Sequence, residues 1–129
     1  MSPAMQVVGI GVDLVEVDRV RRMLERHPSF RSRVFTPAEV EYCERKGGRP
    51  ERYAARWAAR EATIKALGGV RRLRYHDISV GRMPSGAPTI RLEGSAKARA
   101  AERGVRDILV SFSHERHTAA AFCVAMGEG

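Results

Sequence analysis

The chain has few of the residues that mark several large classes of small protein. Only two cysteines, Cys43 and Cys123, occur among its 129 residues, and neither belongs to a C-x-x-C pair or lies near a histidine at metal-ligand spacing. A disulfide scaffold and a zinc module are therefore disfavoured, and a reducing cytoplasm is the compartment we expect.

Long hydrophobic runs are also missing. The longest uninterrupted apolar stretch, Ala119–Met126, is much shorter than the roughly 20 residues that a membrane-spanning helix needs. No basic residue precedes Arg19, so the start lacks the positively charged region of a signal peptide. These features predict a soluble, cytoplasmic protein with no membrane partner.

Acidic side chains are in the minority. The chain has 23 Lys and Arg against 15 Asp and Glu, a net charge of +8, which favours a polyanionic partner such as nucleic acid, a phosphorylated cofactor or an acidic protein. A codon usage rich in Arg would give the same composition. Only 6% of the residues are aromatic, and no segment interleaves them with Arg as a nucleic-acid stacking platform does. A basic nucleic-acid-binding module remains the main alternative to an enzyme, although no motif of that class is present.

The hydrophobic pattern predicts one α+β domain spanning residues 1–129. Strands are predicted over 6–14, 76–82, 88–92, 107–113 and 118–125, and helices over 16–27, 51–67 and 95–103. A shorter helix is predicted from Thr36 as N-cap, with Pro37 in the first turn, to about Gly47. Because the strands and helices do not alternate as βαβ units, we predict a mostly antiparallel sheet.

Alternate residues of the first strand fall on two different faces. One face is formed by the apolar residues Val8, Ile10, Val12 and Leu14, and the other by Gly9, Gly11 and Asp13. We therefore expect the carboxylate of Asp13 to project, at the end of the strand, from a face that the two glycines leave open.

The helix predicted over 51–67 carries two rows of residues spaced four apart. One row is Tyr53, Trp57, Glu61 and Lys65, and the other is Arg52, Arg56 and Arg60. Glu61 and Lys65 are spaced for an ordinary surface ion pair, yet the aromatic start of their row favours a cleft for Glu61. Like charges four residues apart on a helix repel each other unless negative charge lies beside them. A bound phosphate would supply that charge, but carboxylates elsewhere in the same fold would also do so. The row therefore favours a phosphate site only mildly.

Asp13 and Glu61 are carboxylates on two separate elements. Mg²⁺ commonly takes one or two such ligands from a protein, keeps several waters, and binds substrate phosphate oxygens at its remaining positions. The sequence does not show that the two side chains meet, and each alone would ordinarily be a surface acid. A magnesium site shared by the two carboxylates is therefore a hypothesis, and it requires their side chains to lie close together in the structure.

Ser113 and His114 end the strand predicted over 107–113. A serine nucleophile beside its histidine is disfavoured, because neighbouring residues on a strand point to opposite faces and no G-x-S-x-G turn is present. Hydroxyl and imidazole groups that donate hydrogen bonds to an anion fit this segment better.

Four parts of the chain, in this order, together resemble the holo-acyl-carrier-protein synthases, the small single-domain branch of the 4′-phosphopantetheinyl transferases. These parts are Gly9–Asp13, Phe35–Glu39, Ala54–Ala62 with Lys65–Gly68, and Val110–His114. The likeness extends over residues 7–124. It implies an antiparallel sheet packed on a long central helix, and homotrimers whose active sites lie between subunits.

The resemblance also implies an activity. Such enzymes transfer the phosphopantetheine arm of coenzyme A, their co-substrate, to a serine of an acyl carrier protein and release adenosine 3′,5′-bisphosphate. Asp13 and Glu61 match the ligands of the Mg²⁺ cofactor, and Lys65 matches a lysine that contacts the coenzyme phosphates and assists at the reacting centre. Glu61 is also our candidate for the base that accepts the serine proton.

The remaining site residues follow from the same resemblance. Coenzyme A is expected at Arg56, Lys65, Gly68, Ser113 and His114, and the acidic helix of the carrier protein at Arg19, Arg22 and Arg26. No nucleic-acid partner is expected. Arg60 stands where these enzymes usually have lysine, and the loops at 69–72 and 86–88 lack some of their usual glycine and lysine. The alternative of a family member recruited to a role other than transfer stays open. The type of carrier protein, from fatty-acid or polyketide synthesis, is also open.

Overall fold

The computed structural model describes residues 4–69 and 73–128. The elements, in chain order, are β1 (Gln6–Glu16), α1 (Val17–Arg26), α2 (Phe30–Val34), α3 (Pro37–Arg45), α4 (Pro50–Ala66), a 3₁₀ turn (Tyr75–Asp77), β2 (Ile78–Arg82), β3 (Pro88–Leu92), α5 (Gly94–Glu102), β4 (Val105–His114) and β5 (Thr118–Gly127). The predicted α+β class is confirmed. Short α2 was not predicted, and the start of the strand predicted over 76–82 is the 3₁₀ turn. No helix in the described ranges is long and apolar enough to cross a bilayer.

All strand pairs in the described ranges are antiparallel, as predicted, and they form two sheets. The larger sheet has the order β1-β5-β4, and β2 pairs with β3 in a separate hairpin. Helix α4 packs on one face of the larger sheet and is the central element of the core, where its alanines are fully buried.

Helix α4 approaches β1 closely because only glycines face it there. A Cβ atom on Gly11 would lie 1.9 Å from the carbonyl oxygen of Ala62, and one on Gly9 would lie 2.1 Å from that of Ala66. Only glycine permits such an approach of two backbones. The expectation that these glycines leave an open face is therefore wrong, because the helix fills it. Asp13, further along the same face, emerges at the edge of α4.

The opposite face of the larger sheet is apolar and exposed. Its large side chains are 46–70% exposed: Val7, Ile10, Val12, Leu14, Leu109 and Phe122. We call these six residues the outer face. Val12 lies directly opposite Phe122 in the ladder, so the surface is continuous across strands. A register shift between Val7 and Gly9 accounts for the one error in the predicted faces, since Val8 packs against the core instead.

A buried ion pair fixes helices α3 and α4 to the hairpin. Thr36 caps α3 as predicted, with its hydroxyl accepting from the Glu39 N–H at 3.3 Å and the Glu39 carboxylate accepting from the Thr36 N–H at 2.7 Å. The same carboxylate pairs with Arg60, and both side chains are almost completely buried. Arg60 Nε also donates to the carbonyl oxygen of Tyr75 at 2.9 Å. Arg60 is therefore a structural cation of the core.

Candidate active site

Asp13 and Glu61 line the same cleft, between the end of β1 and the middle of α4. The cleft has a volume of about 370 Å³, and its other walls include Glu16, Arg19 and Trp57. The side chain of Asp13 is only 17% exposed, and Glu61 is half-buried. The fold thus brings together two carboxylates that lie far apart in the sequence.

The surroundings of Glu61 disfavour its charged form. Burial raises the pKa of Glu61, and the negative charge of Asp13 raises it further, whereas the positive charge of Lys65 lowers it. A divalent cation between the two carboxylates would compensate both of the effects that raise this pKa.

The donor set of the cleft fits Mg²⁺. Its ligands here would be hard carboxylate oxygens, two in number, which is what this ion usually takes from a protein before waters and phosphate oxygens complete its shell. No group of three or more metal-ligating side chains occurs in the described ranges, so an all-protein cage of the kind that Ca²⁺ or Zn²⁺ occupies is not formed there.

Lys65 reaches from α4 across to β1. Its Nζ donates to Asp13 Oδ1 at 3.2 Å and to the Val12 carbonyl oxygen at 2.9 Å. Although both residues are described, no ion pair joins Lys65 to Glu61 one turn earlier, so the ordinary helical pair suggested by their spacing is wrong. The Lys65 side chain is 53% exposed, and its ammonium group lies beside the Asp13 carboxylate, where it can meet an incoming anion.

Arg56 lies on another side of α4, in a group of cations around the ring of Tyr42. Its guanidinium carbon is 4.4 Å from the ring centroid, and the others lie at 4.9–6.0 Å. We call this group the tyrosine cluster: Tyr42, Arg45, Lys46, Arg52, Arg56 and Arg82.

The tyrosine cluster has a large excess of positive charge. In the described ranges, the carboxylate within ion-pair distance of it is that of Glu41, 4.0 Å from Arg45. Arg56 is 3% exposed, and its Nε and that of Arg52 are buried without a hydrogen-bond partner. Unused N–H groups on closely spaced guanidiniums suit an anion with several oxygens.

Most of the tyrosine cluster was not predicted. The arginine row of the sequence pointed to Arg56, but the structure splits that row: Arg60 pairs with Glu39, and Arg52 and Arg56 turn toward Tyr42. The end of α3 and the hairpin supply the other cations, and their approach to α4 is a property of tertiary packing. The one available signal was the unpaired positive charge of the row.

Ser113 and His114 lie at the end of β4 and do not line the cleft of Asp13 and Glu61. Both are exposed. Ser113 stands opposite Ala120 in the ladder, and Ala120 is in turn opposite Leu14 of the outer face. The ring of Phe112, just before Ser113, lies 5.7 Å from the Arg56 guanidinium. This end of β4 therefore approaches the tyrosine cluster.

Gly68 ends α4 with a positive φ of 99°, and a Cβ atom there would lie 2.5 Å from Arg103 Nη1. The backbone angle therefore favours glycine here, whereas the Arg103 side chain could move aside. The next loop, at 69–72, is one of the two loops that lack some of the glycine and lysine usual in the family. Its residues 70–72 lie outside the described ranges.

The three arginines of α1 that were predicted to contact the carrier protein, Arg19, Arg22 and Arg26, differ in their surroundings. Arg22 lies 3.5 Å from Asp18 on the same helix. Arg19 lines the cleft of the two carboxylates, and in the described ranges neither Arg19 nor Arg26 has a carboxylate within ion-pair distance. Arg19 and Arg26 therefore keep their charge available to another molecule.

An apolar groove continues the cleft along α1. It has a volume of about 270 Å³ and is lined by Arg19 together with Met23, Phe30, Trp57 and Tyr75. The Trp57 ring lies 5.7 Å from that of Phe30 and 5.4 Å from that of Tyr75, measured between centroids. The groove thus combines aromatic walls with a cationic rim.

Known proteins share both the sequence pattern and the fold. The sequence model of the 4′-phosphopantetheinyl transferase superfamily matches residues 9–123. A holo-[acyl-carrier-protein] synthase of Desulforudis audaxviator is 46% identical over 123 residues, 94% of each chain. The crystal structure of the holo-ACP-synthase from Plasmodium yoelii has a TM-score of 0.86 at 30% identity, covering 98% of this chain and 99% of that one. The ACPS–CoA complex of Chronobacterium ammoniagenes has a TM-score of 0.81 at 29% identity, covering 96% and 98%.

Proposed function

The chain belongs to the 4′-phosphopantetheinyl transferase superfamily and is a transferase, and we propose that it moves the 4′-phosphopantetheine group of coenzyme A to a serine of an apo acyl carrier protein. The observation that carries the proposal is the convergence of Asp13, Glu61 and Lys65 at one cleft. A relative named as a synthase of this kind and one solved with CoA support the choice of substrates. The proposed domain is the whole chain, residues 1–129.

Coenzyme A presents two separate phosphate groups to bind. Its pyrophosphate contains the bond that breaks, so we place it at the cleft of Asp13, Glu61 and Lys65. Its ribose 3′-phosphate is a second dianion, for which the tyrosine cluster around Arg56 offers unpaired cations. A net charge of +8 also draws this donor, with about four negative charges, toward the protein.

In the proposed reaction, the serine oxygen of the carrier attacks the phosphorus that bears the pantetheine arm. A new phosphorus–oxygen bond forms, the pyrophosphate bond breaks, and adenosine 3′,5′-bisphosphate leaves with the bonding electron pair. Glu61, a carboxylate that lines the cleft beside Asp13, is the proposed acceptor of the serine proton. The exposed ammonium of Lys65 offsets the charge that develops on the leaving phosphate. Mg²⁺ held by Asp13 and Glu61 would supply neutralisation of the pyrophosphate oxygens.

For the carrier protein, we propose docking along α1. Arg19 and Arg26 are available to carboxylates, and the apolar groove lined by Arg19 and Trp57 would accept hydrophobic side chains. An acidic amphipathic helix offers both kinds of group. Docking there leads directly into the cleft, because Arg19 and Trp57 line both the groove and the cleft.

We further propose that the active form is a homotrimer. The outer face exposes six large apolar residues on one continuous sheet surface, and such surfaces usually mark an interface. Ser113, His114 and Arg56 do not line the cleft of their own chain. A neighbouring subunit packed on the outer face would bring such residues to a cleft that one chain leaves incomplete.

The proposed function is tested by incubating the protein with coenzyme A, Mg²⁺ and an apo acyl carrier protein and weighing the carrier by mass spectrometry. We expect the carrier to gain one phosphopantetheine, and replacement of its acceptor serine by alanine to prevent the gain. Carriers of fatty-acid and polyketide synthesis tested side by side show which type is used. An unchanged carrier mass with both types would contradict the proposal, and tight, salt-sensitive DNA or RNA binding in the same preparation would favour the nucleic-acid module instead.

A further inference from the structure

Arg82 is the member of the tyrosine cluster that comes from outside the α3–α4 segment. It ends β2, and its guanidinium carbon lies 4.9 Å from the centroid of the Tyr42 ring. Only Arg56 lies closer among the cations described around this ring. No carboxylate of the described residues lies within ion-pair distance of Arg82, so none of them neutralises its charge.

The position of Arg82 is fixed by the buried ion pair. Arg60 Nη2 donates to the carbonyl oxygen of Ile78 at 2.7 Å, and the Glu39 carboxylate accepts from the Val80 N–H at 3.1 Å. These bonds hold β2 at the residues four and two positions before Arg82. Since Glu39 lies on α3 and Arg60 on α4, the hairpin is attached to the same helices that carry Tyr42 and Arg56.

The positive charges gathered around Tyr42 favour the binding of an anion with several free oxygens. A cation over an aromatic ring is stabilised only modestly at exposed sites, and every further cation also repels those already present. A phosphate monoester carries close to two negative charges at neutral pH and three terminal oxygens. A phosphodiester carries one charge and offers two such oxygens.

We propose that Arg82 contacts a phosphate monoester held at the tyrosine cluster, and that this contact makes the enzyme prefer donors that carry the monoester. The inference rests on the proposed function, in which the donor is coenzyme A and its monoester is the ribose 3′-phosphate. The β2–β3 hairpin then contributes donor specificity, and Arg82 is the specificity-determining residue that it supplies.

The test compares Arg82→Gln with Arg91→Gln, a change of the same chemistry on the other strand of the hairpin. Arg91 has a highly exposed side chain and pairs with Glu93, so it controls for the loss of one charge from the hairpin. With an apo carrier in excess, KM is measured for coenzyme A and for 3′-dephospho-coenzyme A. We expect Arg82→Gln to raise KM for coenzyme A about tenfold, with less than a twofold change for the dephospho donor, and Arg91→Gln to change neither.

A second measurement does not depend on turnover. In calorimetric titrations without a carrier, Arg82→Gln should weaken binding of coenzyme A about tenfold and leave binding of 3′-dephospho-coenzyme A, which has no phosphate monoester, unchanged. Equal effects of Arg82→Gln on the two donors in both measurements, or no effect in either, would overturn the role of Arg82. A wild-type protein that modifies no carrier with either donor would instead contradict the proposed function, while the titrations would still decide whether Arg82 reads the monoester.

Discussion

Lys65 donates to the carboxylate of Asp13, 52 positions earlier in the chain, at 3.2 Å, while Glu61 on its own helix does not pair with it. The contact joins β1 to the last turn of α4. In the described ranges, no cation lies within ion-pair distance of Glu61, which is half-buried and next to a second carboxylate. This imbalance of charge at the cleft is the basis of the magnesium proposal, because a divalent cation is the group that would correct it.

Removal of either carboxylate should stop transfer without unfolding the chain. Asp13→Asn and Glu61→Gln preserve side-chain shape but remove the anionic oxygen, so we expect kcat to fall more than about a hundredfold. Glu16→Gln is the matched control, since Glu16 lines the same cleft and is not a proposed ligand. Carrier mass gives the rate, and thermal unfolding reports folding. Wild-type turnover in Asp13→Asn or Glu61→Gln would show that the metal assignment is wrong.

The raised pKa of Glu61 predicts how stability depends on pH in the absence of metal. The folded chain binds this proton more tightly than the unfolded chain, so Glu61 destabilises the fold progressively as pH rises from the ordinary carboxyl range through the raised pKa. With EDTA present, Glu61→Gln should have a higher Tm than wild type at pH 7.5. The difference should shrink toward pH 4, where both forms are neutral at this position. A Tm difference that is constant with pH would contradict the assigned pKa direction.

Charge reversal on α1 should affect the carrier far more than the donor. For the double variant Arg19→Glu with Arg26→Glu, we expect KM for the carrier to rise at least about tenfold and KM for coenzyme A to change much less. Arg22→Glu should have a smaller effect, since Arg22 already pairs with Asp18. The double variant Arg91→Glu with Arg106→Glu, on β3 and β4 at residues that pair with Glu93 and Glu128, controls for the same change in net charge. Equal increases in KM for carrier and donor would argue against a docking helix.

A charge on the outer face should separate the subunits. Val12 and Leu14 are 57% and 70% exposed, so Leu14→Asp should leave the folded chain intact while placing a carboxylate in the proposed interface. Light scattering should show a fall from three chain masses to one, with loss of transfer. Met83→Asp is the control, because Met83 is a comparably exposed apolar residue on the hairpin. A Leu14→Asp protein with wild-type mass and rate would contradict both the trimer and the shared site.

Much of the fold can be predicted from the sequence, because its local signals, such as helix caps and side-chain periods, agree with the tertiary structure. Thr36 and Pro37 predict the start of α3, and the full capping box is present there. The two-residue period of a strand correctly assigns Ile10 and Gly11 to opposite faces of the sheet. It does not reveal which face is buried, and the glycine face was expected to be open. That expectation was wrong because Gly9 and Gly11 admit a helix rich in alanine, which leaves the larger side chains of the strand outside.

The site was predictable only in part, for a related reason. Carboxylates at the end of a strand and inside an amphipathic helix are visible as unusual residues, and Asp13 and Glu61 were found that way. The positions of Arg60 and Arg82 depend on contacts between distant segments, so spacing alone could not assign one to a buried ion pair and the other to the tyrosine cluster. A residue's charge can be read from sequence, but its partner is set by packing.

The central claim, that Asp13 and Glu61 jointly hold a divalent cation against the donor pyrophosphate, is tested most directly by phosphorus NMR of coenzyme A with the protein and Mn²⁺ in place of Mg²⁺. For the wild-type protein, we expect substoichiometric Mn²⁺ to broaden the pyrophosphate resonances strongly and the 3′-phosphate resonance less. In Asp13→Asn and Glu61→Gln, the protein-dependent broadening should disappear. Pyrophosphate broadening that is unchanged in both variants would contradict the claim.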